Sequence, residues 1–200
     1  GYYRYERGHR PVFEGEAQFG GRIVEPQRWP NDLNHADQRV VVVGSGATAV
    51  TLVPAMAREA AHVTMLQRSP TYVVARPSRD KLALALRRVL PERWAYGLTR
   101  WKNVLLGLYF FRLLRRYPEQ GRERLVAMAQ EALGPTLDAQ VHFRPSYKPW
   151  DQRLCMVPDG DLFQEIRRGR ATVVTGQLER FTATGVRLAD GRELPADIVV

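Results

Sequence analysis

The 200-residue sequence contains one cysteine, Cys155. A lone thiol closes no internal disulfide and makes no two-cysteine zinc or redox motif. Histidine is almost as scarce: His9, His35, His62 and His142 are scattered without metal-ligand spacing, and no metal site is expected. No GxSxG turn occurs, so nothing points to a hydrolase. Long apolar runs are also missing. In the apolar middle the longest charge-free stretch is Asn103 to Phe111, far short of the ~20 residues a spanning helix needs. The first residues, Gly1-Tyr2-Tyr3-Arg4, show no apolar core of a signal peptide, and the expected compartment is the cytoplasm. Acidic residues are in deficit, 21 against 30 basic ones, for a net charge of +9. Such a surplus points to an anionic partner: a phosphate cofactor, nucleic acid or a membrane surface. The remainder, 44% hydrophobic and 26% charged, excludes a disordered tail, a collagen-like rod and a coiled coil.

Along the chain the composition changes character. Gly1 to Asp37 mixes Pro, Gly and aromatics with little helical periodicity and reads as extended and loop-like. Arg39-Val40-Val41-Val42-Val43 is a β-branched run of the kind buried on both faces in a parallel sheet. Gly44-Ser45-Gly46 follows at once, then a helical stretch from Ala47 to Glu59 that Pro54 is expected to kink or shorten. Val63 to Leu66 is a second strand. Strand, glycine turn, helix and strand make the first half of a dinucleotide-binding unit. Arg79 to Leu133 reads helical, with breaks near Pro91, Pro118 and Gly134, and carries most of the surplus positive charge. That stretch is read either as a membrane-surface or nucleic-acid face or as a merely solvated one. Leu154 to Val157 is a short strand and Asp161 to Arg168 a helix. Ala171 to Thr175, Leu178 to Thr182 and Val186 to Leu188 are strands, with a hairpin signal at Asp190-Gly191. Ile198-Val199-Val200, an apolar strand with no polar ending, reads as a cut rather than a natural terminus. The fold expected is α/β: a Rossmann-like NAD(P)-binding domain with a parallel sheet, a helical insertion and a C-terminal antiparallel meander.

Gly44-x-Gly46-x-x-Ala49 is the strongest local motif. Its first glycine allows the tight turn, its second lets backbone approach a pyrophosphate, and its small third residue lets helix and sheet pack closely. Gly44, Ser45, Gly46, Ala47, Thr48, Ala49 and Val50 are therefore the cofactor-binding candidates. An NAD site places an acid at the end of the second strand to hold the ribose hydroxyls. Here Gln67-Arg68-Ser69 stands there instead. Arg68 and Ser69 suit a 2′-phosphate, so NADPH/NADP is the cofactor read from this segment; the competing reading is a solvated arginine at a strand end. Arg153, just before the strand that begins at Leu154, is either a functional cation or a surface charge paired with Asp151. Cys155 reads as a buried small hydrophobe rather than a nucleophile.

Several motifs together resemble the flavin-containing, Baeyer–Villiger-type (class B) monooxygenases, in particular their ethionamide-activating subgroup. The family's fingerprint F-x-G-x-x-x-H-x-x-x-W-P aligns with Phe19 to Pro30, matching at Phe19, Gly21, Trp29 and Pro30, with Glu25 in the histidine's place. Gly44 to Ala49, Leu66 to Tyr72 and Pro149 to Cys155 are similar to that subgroup as well. The resemblance implies an enzyme in which NADPH reduces a bound FAD. The reduced flavin then takes up O2 as a peroxyflavin, which inserts one oxygen atom into a ketone or oxidises a soft heteroatom such as sulfur. It implies that Arg153 stabilises the anionic flavin species, as a fixed cation in a water-poor site would. The family often has a lysine before that arginine; Gln152 stands there, which leaves more of the NADP selectivity to Arg68 and Ser69. Glu25 is expected to impair coupling of the FAD and NADP domains.

The organisation this implies is a linker carrying the fingerprint over 1–38 and an NADP-binding domain over 39–200 with a helical insertion at about 79–134. The flanking FAD-domain portions are expected to be absent, leaving a piece inactive on its own. The partners expected are a small ketone or sulfur compound and O2, with no nucleic acid and with peripheral membrane contact through the basic helices left open. Two other readings stand beside it: a pyridine-nucleotide reductase domain, disfavoured by the single cysteine, and a stand-alone NADPH-binding domain without oxygenase activity.

Overall fold

The computed structural model describes residues 11–200. Two compact units make up the chain, one of residues 1–70 and 162–200, the other of residues 71–161.

The first unit is built on five parallel strands. They are β1 (Arg22–Ile23), β2 (Arg39–Val43), β3 (His62–Gln67), β6 (Ala171–Thr175) and β10 (Ile198–Val199), in the spatial order β1-β10-β2-β3-β6. β2 is central, which is why Val40, Val41 and Val42 are buried although they alternate between the two faces. Helix α1 (Ala47–Met56) follows β2 and packs on β2 and β3, burying Ala49, Val50 and Val53. Pro54 is accommodated inside it, and the helix closes at Met56, three residues before the expected end, with the Ala57 N–H donating to the Val53 carbonyl. A short helix α6 (Asp161–Arg167) leads into β6, where buried Glu165 accepts from Arg168 and Arg170.

Between β6 and β10 the chain makes a three-stranded antiparallel meander, β7 (Leu178–Thr182), β8 (Gly185–Leu188) and β9 (Glu193–Pro195). The apolar positions of β7 and β8, Leu178, Phe181, Val186 and Leu188, form one core with Val41, Leu66 and Val199 of the parallel sheet. The expected strands and the hairpin at Asp190-Gly191 are thus present, with Gly191 at φ 87°.

The N-terminal stretch differs from its extended, loop-like reading. Residues Arg22–Ile23 add a strand at the sheet edge. Two residues carry too little periodicity to signal a strand; what creates it is tertiary pairing with β10, where the Arg22 N–H donates to Asp197 and the Val24 N–H to Val199. The approach is close. A Cβ at Gly21 would run into the Asp197 carbonyl oxygen and the Phe19 ring. Phe19 itself is buried, edge-on to Phe181 with ring centroids 5.5 Å apart.

The second unit holds a parallel pair, β4 (Tyr72–Arg76) and β5 (Leu154–Pro158), and a helical stretch between them. β4 has no counterpart in the sequence reading. Tyr72-Val73-Val74, between Pro70 and Pro77, favours a strand locally, but the run is short and its partner strand begins only at Leu154. The helices are α2 (Lys81–Val89), α3 (Glu92–Arg116), α4 (Pro118–Leu133) and the short α5 (Ala139–His142). The breaks fall where they are expected. Pro91 caps α3, Pro118 takes the first position of α4, and Gly134 ends α4 at φ 63°. Asp80 caps α2 by accepting from the Ala83 N–H.

β10 is clamped to β2 by Asp197. Its carboxylate accepts from the Arg39 backbone N–H at 2.8 Å, from Nε at 3.0 Å and from Nη2 at 2.6 Å. The hydrogen bonds from Arg39 hold the Asp197 carboxyl down to about 2, against an ordinary 3.8. A depressed carboxyl stabilises the fold above its unfolded pKa, and that contribution is lost as pH falls from about 4 toward 2. Both side chains are partly exposed, so Asp197→Asn is expected to cost about 1 kcal/mol or less at pH 7. Urea midpoints of the two proteins should converge as pH drops through that window; a constant gap would refute the assignment. Gly21→Ala is expected to cost about 1–3 kcal/mol through overpacking. Gly97→Ala, in α3 with nothing within 4 Å of its Cβ position, should cost nothing in the same denaturation series.

Candidate functional site

The strand order of the first unit reverses at β2. From β2 the chain moves outward through β3 to β6, then returns to place β10 on the other side of β2. In open parallel sheets the connections at such a point leave in opposite directions and open a crevice at the carboxyl ends of the strands. A cavity of about 420 Å³ lies there. Its lining includes Val43, Gly44, Gly46 and Thr48 after β2, Glu25 after β1, and Val200 after β10.

The turn has the geometry its glycines serve. Gly44 sits at φ 136°, which side-chain-bearing residues rarely adopt, and its N–H donates to the Leu66 carbonyl at 2.7 Å. No atom lies within 4 Å of where a Cβ of Gly44 or Gly46 would stand, so the backbone meets the cavity directly. Gly46 is the N-cap of α1 and supplies no side-chain oxygen. The first-turn N–H groups and the positive end of the helix dipole therefore face an open crevice, suited to an anionic phosphate. Ala47 and Thr48 are exposed, while Ser45, Ala49 and Val50 are buried against the sheet.

Arg68 and Ser69 follow β3, next to the end of β2, since Leu66 pairs with Val43. Both are exposed. Arg68 makes no ion pair or hydrogen bond among the described residues. The first unit thus brings together the glycine turn, an exposed guanidinium and a hydroxyl, donors suited to a 2′-phosphorylated dinucleotide.

The fingerprint residues divide. Phe19 and Gly21 serve packing against the meander and β10. Glu25 is half-buried and lines the cavity. Trp29 is exposed and Pro30 half-buried.

Arg153 lies in the second unit, at the start of β5, and is exposed. Its Nε donates to Thr71 Oγ1 at 3.1 Å. Asp151 pairs instead with Arg115. A closed circuit of hydrogen bonds holds this end of the unit. Tyr147 Oη donates to the Arg153 carbonyl at 2.8 Å, and Tyr72 Oη donates to the Tyr147 carbonyl at 2.9 Å. The two rings meet edge-on at 5.4 Å. Burial pushes both phenols up from their ordinary range, so both stay protonated and able to donate. Thr71, fully buried, and Tyr147 carry no sequence signal for this role, because only the β4–β5 pairing brings them to Arg153. Cys155 is buried and burial raises its thiol, as a small core residue rather than a nucleophile requires. Among the described residues no cluster of His, Cys, Asp and Glu is arranged to hold a metal ion.

No protein-family model matches the chain. The chain is 53% identical over 201 aligned residues to the FAD-containing monooxygenase EthA of Mycobacterium tuberculosis, covering all of this chain and 41% of that one. EthA of Mycolicibacterium smegmatis is 48% identical with the same coverage. The chain thus spans about two fifths of the length of the curated relatives it matches. Among solved structures, an oxidised steroid monooxygenase bound to NADP superposes with a TM-score of 0.72 at 19% identity, over 96% of this chain and 44% of that one. At that identity the likeness establishes the α/β fold. Sequence similarity to FAD-containing monooxygenases runs through all 200 residues of the chain, which corresponds to a part of those longer proteins.

Proposed function

We propose that the chain is the NADPH-binding portion of an FAD- and NADPH-dependent monooxygenase. The whole enzyme inserts one oxygen atom of O2 into small ketones, in Baeyer–Villiger fashion, or oxidises soft heteroatoms such as sulfur. The observation that carries this reading is the glycine-lined crevice at the order reversal, with Arg68 beside it making no ion pair among the described residues, in a chain similar to FAD-containing monooxygenases. Residues 39–200 are the NADP-binding domain, with the helical insertion at about 79–134, and 1–38 are the fingerprint-bearing linker. The alternatives of a pyridine-nucleotide reductase or a stand-alone NADPH-binding domain gain no support from the relatives. The same proposal places the enzyme in the cytoplasm, with peripheral membrane contact through its basic helices and no nucleic-acid partner.

In this reading the backbone from Gly44 to Val50 carries the pyrophosphate at the N-terminus of α1. Arg68 and Ser69 take the 2′-phosphate and so choose NADPH over NADH. FAD, when bound in the whole enzyme, supplies the electrons that activate O2. Arg153 sets a permanent positive charge beside the negative charge that develops during oxygen transfer. The Thr71 bond fixes its Nε, so the guanidinium is oriented before the reaction begins. Glu25 places a carboxylate in the wall of the same crevice, an unfavourable neighbour for a phosphate-bearing cofactor.

The test is calorimetric titration with NADPH and NADH. A lost charge-assisted bond is worth ~1.5–3 kcal/mol, so Arg68→Ala should weaken NADPH binding about 10- to 100-fold and leave NADH unchanged. Equal affinities for the two nucleotides in the unsubstituted protein would overturn the cofactor assignment. Glu25→His is expected to raise NADPH-driven turnover of the whole enzyme with Arg68 intact; an unchanged rate would remove Glu25 from the account.

A further inference from the structure

Helix α3 of the second unit is little covered. Of its 25 residues only Ala95 is buried. Trp94, Leu98, Trp101, Leu105 and Tyr109 recur at spacings of three or four, which places them on one side of the helix. All five are exposed, Trp101 by 64% and Leu105 by 59%. They form an apolar stripe ~23 Å long at 1.5 Å per residue. Continued at the same spacing, the stripe ends on Arg112 and Arg116.

Basic residues outnumber acidic ones around it. Asp80, the N-cap of α2, pairs with Lys102, and Glu92, at the start of α3, pairs with Arg87 at 3.6 Å. Arg93, Arg100, Arg112 and Arg116 have no acidic partner among the described residues. Arg93 lies 5.8 Å from the centre of the Trp94 ring, so charge and aromatic surface are contiguous.

We propose that this stripe seats the protein on an anionic lipid surface, with α3 lying in the plane of the headgroups. The inference deepens the membrane-contact part of the proposed function and is independent of its oxygenase part. Three features choose this occupant. Apolar side chains with Trp and Tyr among them gain by entering the interface, where their rings are partly apolar and partly wet. Unpaired arginines beside them meet the negative surface potential of anionic lipids. No helix among the described residues is long and apolar enough to cross a membrane, so the stripe lies on the surface instead. A second copy of the chain is the poorer occupant, since pairing two such faces brings the same arginines together.

The experiment is vesicle co-sedimentation of the full-length protein, with tryptophan emission read in parallel. Vesicles of phosphatidylcholine with about one third phosphatidylglycerol are compared with pure phosphatidylcholine. Binding is expected to be at least about tenfold tighter to the anionic vesicles, with a blue shift in emission, and to weaken as salt rises. Trp101→Ser and Leu105→Ser should each weaken it several-fold. Arg112→Gln with Arg116→Gln should abolish the preference for anionic lipid. All four positions are exposed, and a circular dichroism melt verifies that each variant folds. Absence of vesicle binding, or binding that Trp101→Ser and Leu105→Ser leave unchanged, overturns the proposal. So does a dimer in sedimentation velocity that Leu105→Ser dissociates while vesicles fail to bind, which assigns the stripe to a second copy. None of these readouts needs turnover, so failure here and failure of the oxygenase reading are distinguishable.

Discussion

Val40 and Val41 are paired on both edges of their strand, to β3 on one side and to β10 on the other. β3 comes directly after β2 in the chain, whereas β10 comes from its far end. That double pairing forces the connections on the two sides of β2 to leave in opposite directions. The crevice at the end of β2 is the geometric consequence. Everything assigned to cofactor binding in the first unit depends on it. The glycine turn lies at the carboxyl end of β2, where the strand order reverses, and Arg68 enters because β3 ends beside it. The Arg39–Asp197 clamp matters for the same reason: it holds β10 to β2 at the end of β2 remote from the cavity, so the divergence begins from a fixed base.

The second unit solves a different problem. The role proposed for Arg153 needs a cation fixed in direction. Thr71 Oγ1 accepts from its Nε and orients the guanidinium. Tyr147 and Tyr72 act on backbone carbonyls, tying the chain at Arg153 to the chain at Tyr147. Asp151, the nearest acid in sequence, is engaged by Arg115. A second cation supports the same circuit, since Arg122 Nε donates to Tyr72 Oη at 3.3 Å.

Much of this architecture was legible because its causes are local. A four-valine run, glycines at the turn and prolines at helix starts each act within a few residues, so β2, the glycine turn and the breaks at Pro91 and Pro118 follow from the sequence. β1 and β4 do not. β1 exists only because β10 lies beside it, and β4 only because β5 returns after the whole helical stretch. The same limit applies to the sites. Gly44, Gly46 and Arg68 are readable because a motif fixes their spacing. Thr71 and Tyr147 become neighbours of Arg153 only through strand pairing, and the order reversal that makes the cavity is a property of the whole sheet.

The fingerprint joins residues under two separate constraints. Phe19 fills a place in the meander core, and Gly21 is forced by the close approach of the Asp197 carbonyl. Either could be read as functional from sequence alone, yet both are accounted for by packing. Glu25 obeys neither constraint. It follows β1 and faces the crevice, with its backbone held by the pairing of Val24 to Val199. Its side chain lies outside the apolar core cluster that holds Phe19. A glutamate in the histidine's place puts an acidic residue in the wall of that crevice, and in the proposed function its charge bears directly on the phosphates of the nucleotide.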